Sequence, residues 1–213
     1  MDVMPKWADV VLVPIVSLVL AALLSALLIL AIGESPSEAL KLMVEGTLMR
    51  SAGWGYMLYY TTNFIFTGLA VSVAFHADLF NTGGAGKAMT GGLGVALVCL
   101  FIPWPHWSLA IIGASIGAAI FGMIWAGLPA YLQAKRGSHI VITTIMFNFI
   151  AAGVLNFLLV GALKPKGSMD PATANFPSST HLPTFEDMAQ VFGIEKMFRS
   201  APANVSFFIA LLA

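Results

Sequence analysis

The segment of this sequence most suggestive of a functional site is a glycine-rich stretch, residues 80–87 with the sequence FNTGGAGK, followed by Gly91, Gly92 and Gly94. Glycines at this density break or kink a helix. Irregular backbone is tolerated at membrane depth only where protein or a water-filled cavity satisfies its polar groups, and broken helices of this kind often line transport pathways. The residues therefore favour a pathway-lining segment, with a tight turn and small-residue packing as the alternative.

Residues 83–87 also imitate a phosphate-binding loop, but their context does not support that reading. Asn81 stands where such a loop has its first glycine, and Ala88 replaces the Ser or Thr that binds Mg²⁺. No strand–loop–helix unit is predicted around the segment. We therefore expect no nucleotide site in this chain.

A second enzyme-like pattern, G-x-S-x-G, occurs at residues 113–117. A nucleophile elbow requires a strand–turn–helix, whereas Ser115 falls within an uncharged helical run. Gly113 and Gly117 instead predict a small-residue packing face. An intramembrane serine protease is the enzyme alternative that this pattern leaves open.

A second polar segment, residues 131–140, separates two long apolar runs. Its first half is helical in character, and its glycine suits a helix end. The segment could dock a partner that supplies energy, although on the residues alone an ordinary positively charged cytoplasmic loop is the better interpretation. The candidate docking residues are Gln133, Ala134, Lys135, Arg136, Gly137, Ser138 and His139.

The composition indicates a membrane protein. Of 213 residues, 59% are hydrophobic and only 9% are charged, against about 25% charged residues in a soluble domain. Ten Lys and Arg balance ten Asp and Glu, so no basic excess predicts a nucleic-acid partner. The single Cys99 and four scattered histidines provide neither a disulfide framework nor paired metal ligands.

Apolar runs predict an all-α polytopic fold, because about 20 helical residues cross the hydrocarbon core. Five complete spans are predicted, over residues 10–33, 58–75, 88–104, 108–131 and 140–163. A sixth run begins at Val205 and stops at Ala213, too short to span. We therefore expect residues 1–213 to be the N-terminal part of a longer membrane domain.

Two polar connections carry further predictions. Residues 34–50 begin with a capping-box pattern, Ser35 to Glu38 with Pro36 at the first helical position, and predict an amphipathic helix at the interface. Residues 164–204 hold five of the eleven prolines and predict an extracytoplasmic loop with a small packed element around residues 185–198.

Lysine and arginine placement in short loops sets the orientation. An even number of spans separates Lys6 from the Lys135–Arg136 pair, so both face one compartment, taken as the cytoplasm, and residues 164–204 face outside. Charged groups within spans are nearly absent; only His76, Asp78 and Lys87 approach that position. Proton-coupled carriers usually need such groups, which indicates that energy comes from another subunit. A passive channel stays open.

At this point a family resemblance adds to the residues. Residues 79–87, with the glycines beyond, resemble the "F-N-I-G-x-E-G-Q…G" signature of nucleoside-type ABC importer permeases, which belong with ribose and branched-chain amino-acid permeases. Residues 134–137 and 141–148 resemble the same family's cytoplasmic loop and following helix. Ala85, Lys87 and Ile140 depart from residues common in the family, which leaves the substrate in doubt.

The resemblance implies a permease without enzymatic activity that carries a nucleoside, with a sugar as the alternative and a stand-alone secondary transporter or channel as the runner-up class. It implies a second permease subunit, a cytoplasmic ATPase that binds the ATP, an extracytoplasmic substrate-binding protein and an inner-membrane location among lipids, with no cofactor in this chain. The pathway residues implied are Phe80, Asn81, Gly83, Gly84, Gly86, Lys87 and Asn148.

Overall fold

A computed structural model describes residues 8–76, 82–191, 193, 198 and 201–213. Secondary structure in these ranges is helical, apart from one isolated antiparallel bridge between Thr184 and Asn204. The helices are α1 (Val13–Ala31), α2 (Pro36–Val44), α3 (Ser51–His76), α4 (Gly84–Phe101), α5 (Trp107–Arg136), α6 (Ile140–Val160), α7 (Phe185–Val191) and α8 (Ser206–Leu212). Short π-helical turns precede α1 (Ala8–Leu12) and follow α2 (Glu45–Met49), and a 3-10 turn spans Ser178–Thr180.

Five helices of the described chain are long and apolar enough to cross a membrane. This confirms the predicted all-α polytopic fold. The run predicted to begin a sixth element is also helical, as α8. The five spans are Val10–Ala31, Ser51–His76, Gly84–Phe101, Trp107–Arg136 and Ile140–Val160.

The start of α3 differs from the prediction, since the helix begins at Ser51 rather than at residue 58. Its first turns contain Trp54 and Tyr56, amphipathic side chains that are enriched where a spanning helix meets the membrane interface. Trp54 donates its indole N–H to the carbonyl of Leu48 at 2.9 Å. Counting apolar residues misses such a turn, because the turn is helical without being uniformly apolar.

The hairpin between α4 and α5 is fixed by a proline and a tryptophan. Ile102 has extended backbone with φ −107° and ψ 123°, as expected for the residue before Pro103, so α4 ends there. Trp104 then donates its indole N–H to the carbonyl of Val98 at 3.0 Å. The ring of Trp104 lies against Gly113 of α5.

Glycines bring α4 and α5 into close backbone contact. A Cβ at Gly94 would meet the carbonyl oxygen of Gly117, and a Cβ at Gly117 would lie 2.9 Å from the carbonyl oxygen of Gly94. The predicted small-residue packing face on α5 is therefore confirmed. Because Ser115 lies inside continuous helix, the elbow that a serine protease needs is not formed there.

The predicted helix within residues 34–50 is present, but not its capping box. Ser35 has extended backbone and Pro36 opens α2, yet no side-chain cap hydrogen bond forms. The Ser35 hydroxyl instead shares a 2.9 Å hydrogen bond with the Ser37 hydroxyl. A neighbouring hydroxyl thus competes with the backbone N–H groups for the capping oxygen.

The long loop covers one end of the helices. Gly55, near the start of α3, contacts Ala201, and the 3-10 turn packs on α5. Phe185 lies within 5.6 Å, centroid to centroid, of the rings of Phe198 and Phe208, which gives the small packed element expected in this loop. At the opposite end of the bundle lie the start of α4, the end of α5 and the start of α6.

Candidate functional site

The glycine-rich segment opens α4 rather than interrupting it. Gly83 is the residue before the helix, Gly84 is its first residue and Gly86 is buried in the first turn. The helix then continues without a break through Gly91, Gly92 and Gly94. We expected Gly83, Gly84 and Gly86 to interrupt a helix. That expectation is wrong for Gly84 and Gly86, which are helical, whereas Gly83 lies directly before the helix. The predicted pathway residues Phe80 and Asn81 lie outside the described residues.

Asn148 of α6 binds the backbone at the start of α4. Its side-chain carbonyl accepts a hydrogen bond from the Gly86 N–H at 2.8 Å. Its side-chain amide donates to the Thr82 carbonyl at 3.0 Å. One amide group thus satisfies an N–H that the first turn of a helix leaves without an intrahelical partner, together with a carbonyl before the helix.

A pair of threonines reinforces this junction. The hydroxyls of Thr82 and Thr144 share a 2.7 Å hydrogen bond, and Thr144 is buried. The Thr144 hydroxyl also donates to the carbonyl of Ile140 at 2.8 Å, within α6. Thr82, just before α4, is therefore hydrogen-bonded to α6 through both its hydroxyl and its carbonyl.

Two other helices approach Gly86 so closely that a larger side chain would not fit there. A Cβ there would lie 2.9 Å from the side-chain oxygen of Asn148 and 3.0 Å from the indole nitrogen of Trp125. Trp125 of α5 packs edge-on against Phe147, with ring centroids 5.6 Å apart. We name Thr82, Gly86, Trp125, Thr144 and Asn148 the Asn148 cluster.

Lys87, the remaining predicted pathway residue, is half-buried in the first turn of α4. Its backbone N–H donates to the carbonyl of Gly83 at 3.2 Å. Its ammonium group has no hydrogen bond or ion pair to any residue that the structure describes. The structure therefore joins Gly86 and Asn148 in one cluster but gives Lys87 no part in it.

The predicted docking segment is the end of α5 and a turn. Gln133, Lys135 and Arg136 belong to the last turn of α5, and Gly137 follows with φ +65°, the helix-end conformation expected of glycine. The helical first half predicted for this segment is the end of α5, which continues through Arg136, and Gly137 terminates it as expected. Lys135 and Arg136 are exposed.

A cavity lies elsewhere, between α3, α4, α5 and the long loop. We name this cavity, of about 880 Å³, the loop-side cavity. None of the described pathway residues predicted from sequence lines it. Its lining residues are Tyr59, Asn63, Gly92, Val95, Cys99, Ala110, Ile111, Ala114, Phe176, Thr180, His181, Leu182, Thr184 and Asn204.

Sequence reasoning missed the polar lining of this cavity. Tyr59 and Asn63 are four residues apart on α3 and so share one helix face. Both belong to the run YYTTN, residues 59–63, which stands out as polar within a predicted span. This polar run within an apolar span could have indicated the site from the sequence. Nothing in the sequence indicates His181, because only the folding of the loop brings that residue to the cavity.

Comparisons with known proteins agree on one class of relative. The chain is 30% identical over 176 residues, 83% of its length, to the glucose ABC transporter permease protein TsgB13 of Haloferax volcanii. It is 31% identical over 163 residues (75% of its length) to the guanosine permease NupP of Bacillus subtilis. It is 28% identical over 203 residues (95%) to the nucleoside permease NupB of Lactococcus lactis.

The chain matches 44%, 46% and 55% of the lengths of these three relatives, respectively, so it spans about half of each. No protein-family model matches the chain. No solved structure matches it either.

The fold and the relatives together define the class of protein. Five membrane-competent helices and the similarity to ABC transporter permeases support a multi-pass α-helical protein of the inner membrane. The chain is homologous to ABC transporter permeases.

Proposed function

We propose that this chain forms the membrane-spanning part of a permease subunit in an ATP-driven importer of nucleosides. The observation that carries the proposal is homology over 75–95% of the chain to permeases that include one named for guanosine and one for nucleosides. The relative named for glucose makes a sugar the second candidate solute.

The energy for transport is proposed to come from another subunit. Within the described residues, the five spans contain no Asp or Glu. Carriers driven by protons usually place such acids inside their bundles. A separate ATPase that binds the ATP, with no cofactor and no bond-making chemistry in this chain, is consistent with that composition.

The orientation is proposed from the positive charges. Residues 131–140, with Lys135 and Arg136 exposed, would face the cytoplasm and receive the ATPase. Residues 164–204 would face outside, where a substrate-binding protein delivers the solute, and residues 34–50 would lie at the outer interface. A second permease subunit would complete the pathway.

The pathway residues proposed from sequence would lie at the cytoplasmic end of this arrangement. The hydrogen bonds of Asn148 support a modified role for part of this set, in which the Asn148 cluster holds α4 against α6. The proposed pathway set is Phe80, Asn81, Gly83, Gly84, Gly86, Lys87 and Asn148.

Uptake by membrane vesicles tests the function. We expect vesicles that contain the complete transporter to accumulate radiolabelled guanosine only with internal ATP and the binding protein. Glucose uptake under the same conditions would select the sugar alternative. Guanosine accumulation driven by an ion gradient without the ATPase would contradict the proposal.

Cysteine labelling tests the orientation. In a Cys99→Ser background, Ala134→Cys is expected to react with a membrane-impermeant maleimide only from the cytoplasmic side. Lys166→Cys, in the long loop, serves as the matched site and is expected to react only from outside. The reverse pattern would overturn the proposed topology and the docking role of residues 131–140 together.

A further inference from the structure

We propose that the loop-side cavity is a binding site for an uncharged nucleoside, entered from the side of the long loop. This inference rests on the proposed importer function and adds a location and a set of recognition residues. The cavity, about 880 Å³, falls within the ~300–1,000 Å³ typical of small-molecule sites. Helices α3, α4 and α5 form its walls, and residues of the loop form its rim.

Unused hydrogen-bonding groups converge on this cavity. Tyr59, Asn63 and His181 line it. The Tyr59 hydroxyl, the Asn63 side-chain oxygen and the His181 ring have no hydrogen bond to another described residue. The Asn63 amide nitrogen is already used, since it donates to the Tyr59 carbonyl at 3.1 Å. These side chains are exposed, so water can satisfy their polar atoms, and a polar ligand that displaces the water can take over those hydrogen bonds.

The lining also restricts the charge of the ligand. Among the described residues it contains no Asp, Glu, Lys or Arg, and a charged ligand leaving water without a counter-charge loses much solvation free energy. A nucleotide or a zwitterionic amino acid is therefore disfavoured. A nucleoside is uncharged and carries hydrogen-bonding groups on both base and ribose.

Aromatic rings favour a ligand with a flat face. Tyr59 lines one wall and Phe176 lines the loop side, while the walls from α4 and α5 contribute small residues such as Gly92 and Ala114. Aromatic faces stack on heterocyclic bases, and every nucleobase offers such a face. The lining therefore suits a nucleoside better than a sugar.

An introduced cysteine provides the test, because the native Cys99 lines the cavity but is buried. Leu182 also lines the cavity and is half-buried, so a bound ligand will shield a cysteine at this position. In membrane vesicles containing the full transporter with Cys99→Ser and Leu182→Cys, we expect guanosine to slow alkylation of the new cysteine by N-ethylmaleimide, followed by mass spectrometry of its peptide. Guanosine monophosphate and glucose are expected to give no protection. Binding of radiolabelled guanosine to the same vesicles provides a second readout.

Matched variants locate the effect. Tyr59→Phe removes only a hydroxyl and is expected to raise the guanosine concentration for half-protection and half-binding about tenfold, the factor equivalent to about 1.4 kcal/mol. Tyr60→Phe removes the hydroxyl of the adjacent residue, which does not line this cavity, and is expected to change neither value. Asn63→Leu is expected to weaken protection and binding at least as much as Tyr59→Phe.

The outcomes separate the site from the function. ATP-driven guanosine uptake that persists unchanged in Tyr59→Phe and Asn63→Leu, with no protection or binding at this site, would overturn the site and leave the importer function intact. Protection by glucose in place of guanosine would overturn the ligand class. Absence of any ATP-dependent guanosine uptake would instead contradict the proposed function.

Discussion

The Asn148 cluster and the loop-side cavity divide the polar groups of the bundle between two different uses. In the cluster, the Asn148 side chain bonds backbone atoms on both sides of a helix start, and Gly86 leaves no room for another atom. Around the cavity, Tyr59 and Asn63 leave hydrogen-bonding groups free. Polar residues in a membrane protein can thus either hold helices together or line a binding surface. The two uses differ in whether the polar side chains already have hydrogen-bond partners within the protein.

This difference changes the meaning of the sequence signal. Glycines between two predicted spans and an asparagine within another suggested a pathway, but Gly86 and Asn148 bind each other. Tyr59 and Asn63, which line the loop-side cavity, belong to a predicted span in which no functional residue was expected. Variants of the two regions should therefore fail in different ways, with lost stability in one and lost uptake in the other.

The largest effect is expected for Asn148→Leu. The substitution leaves the buried Gly86 N–H without its partner, at a cost of about 1–3 kcal/mol. The exposed Thr82 carbonyl also loses its bond to Asn148 but can accept one from water. We expect lower thermal stability in detergent and less protein in the membrane, with uptake falling in proportion. Asn156→Leu, an exposed asparagine on the same helix, is the control and should be nearly silent.

The comparison would fail if Asn148→Leu abolished uptake while stability and membrane level stayed normal. Asn148 would then bind the solute and would not serve mainly to hold α4 against α6. The opposite pattern is expected at the cavity, where Asn63→Leu should reduce uptake with stability unchanged.

Gly86→Ala is expected to have the next largest effect. Its Cβ would lie 2.9 Å from the Asn148 oxygen, and overpacking of this kind costs about 1–3 kcal/mol. Gly84→Ala is the matched control, because nothing lies within 4 Å of the new Cβ and alanine favours helix over glycine by about 1 kcal/mol. Thermal unfolding in detergent should separate the two variants. Equal loss of stability in both would remove Gly86 from the cluster.

The sequence predicted the helices well and the site poorly, for reasons visible in particular residues. Span α1 is apolar throughout, so its limits were predicted closely, whereas α3 and α5 extend into polar turns that hydropathy does not count. Gly137 was predicted to have positive φ, and it does. By contrast, contacts such as Gly86 with Trp125 depend on how three helices pack, which no local pattern specifies.

The turn after α5 offers a test of moderate size at the same end as the Asn148 cluster. Gly137 has φ +65°, where a β-branched side chain is strained by about 1–2 kcal/mol. Gly137→Val is expected to lower ATP-driven uptake several-fold with the protein still in the membrane. Gly137→Asn, whose side chain tolerates this conformation, should retain most uptake. Equal uptake by both variants would show that the turn has no part in coupling.

The smallest expected effect concerns the rim of the loop-side cavity and its pH dependence. Hydrogen bonds from the Thr184 N–H and hydroxyl, both 2.8 Å to Asp187, lower the pKa of that carboxyl. Because the folded-state pKa is depressed, this contribution is present above the ordinary aspartate pKa and is lost as pH falls through the folded-state value. Asp187 is exposed, so solvent screening keeps the effect small.

Thr184 is one of the residues lining the cavity, so protonation of Asp187 should loosen the start of α7 without affecting the Asn148 cluster. Hydrogen exchange followed by mass spectrometry should show faster exchange around Thr184 in acid, after correction for intrinsic rates, and unchanged exchange around Gly86. Asp187→Asn should remove this acid dependence, because its side chain does not titrate. If exchange around Thr184 and around Gly86 accelerated equally in acid, the two regions would unfold as one unit. That result would contradict the distinction between the Asn148 cluster and the loop-side cavity.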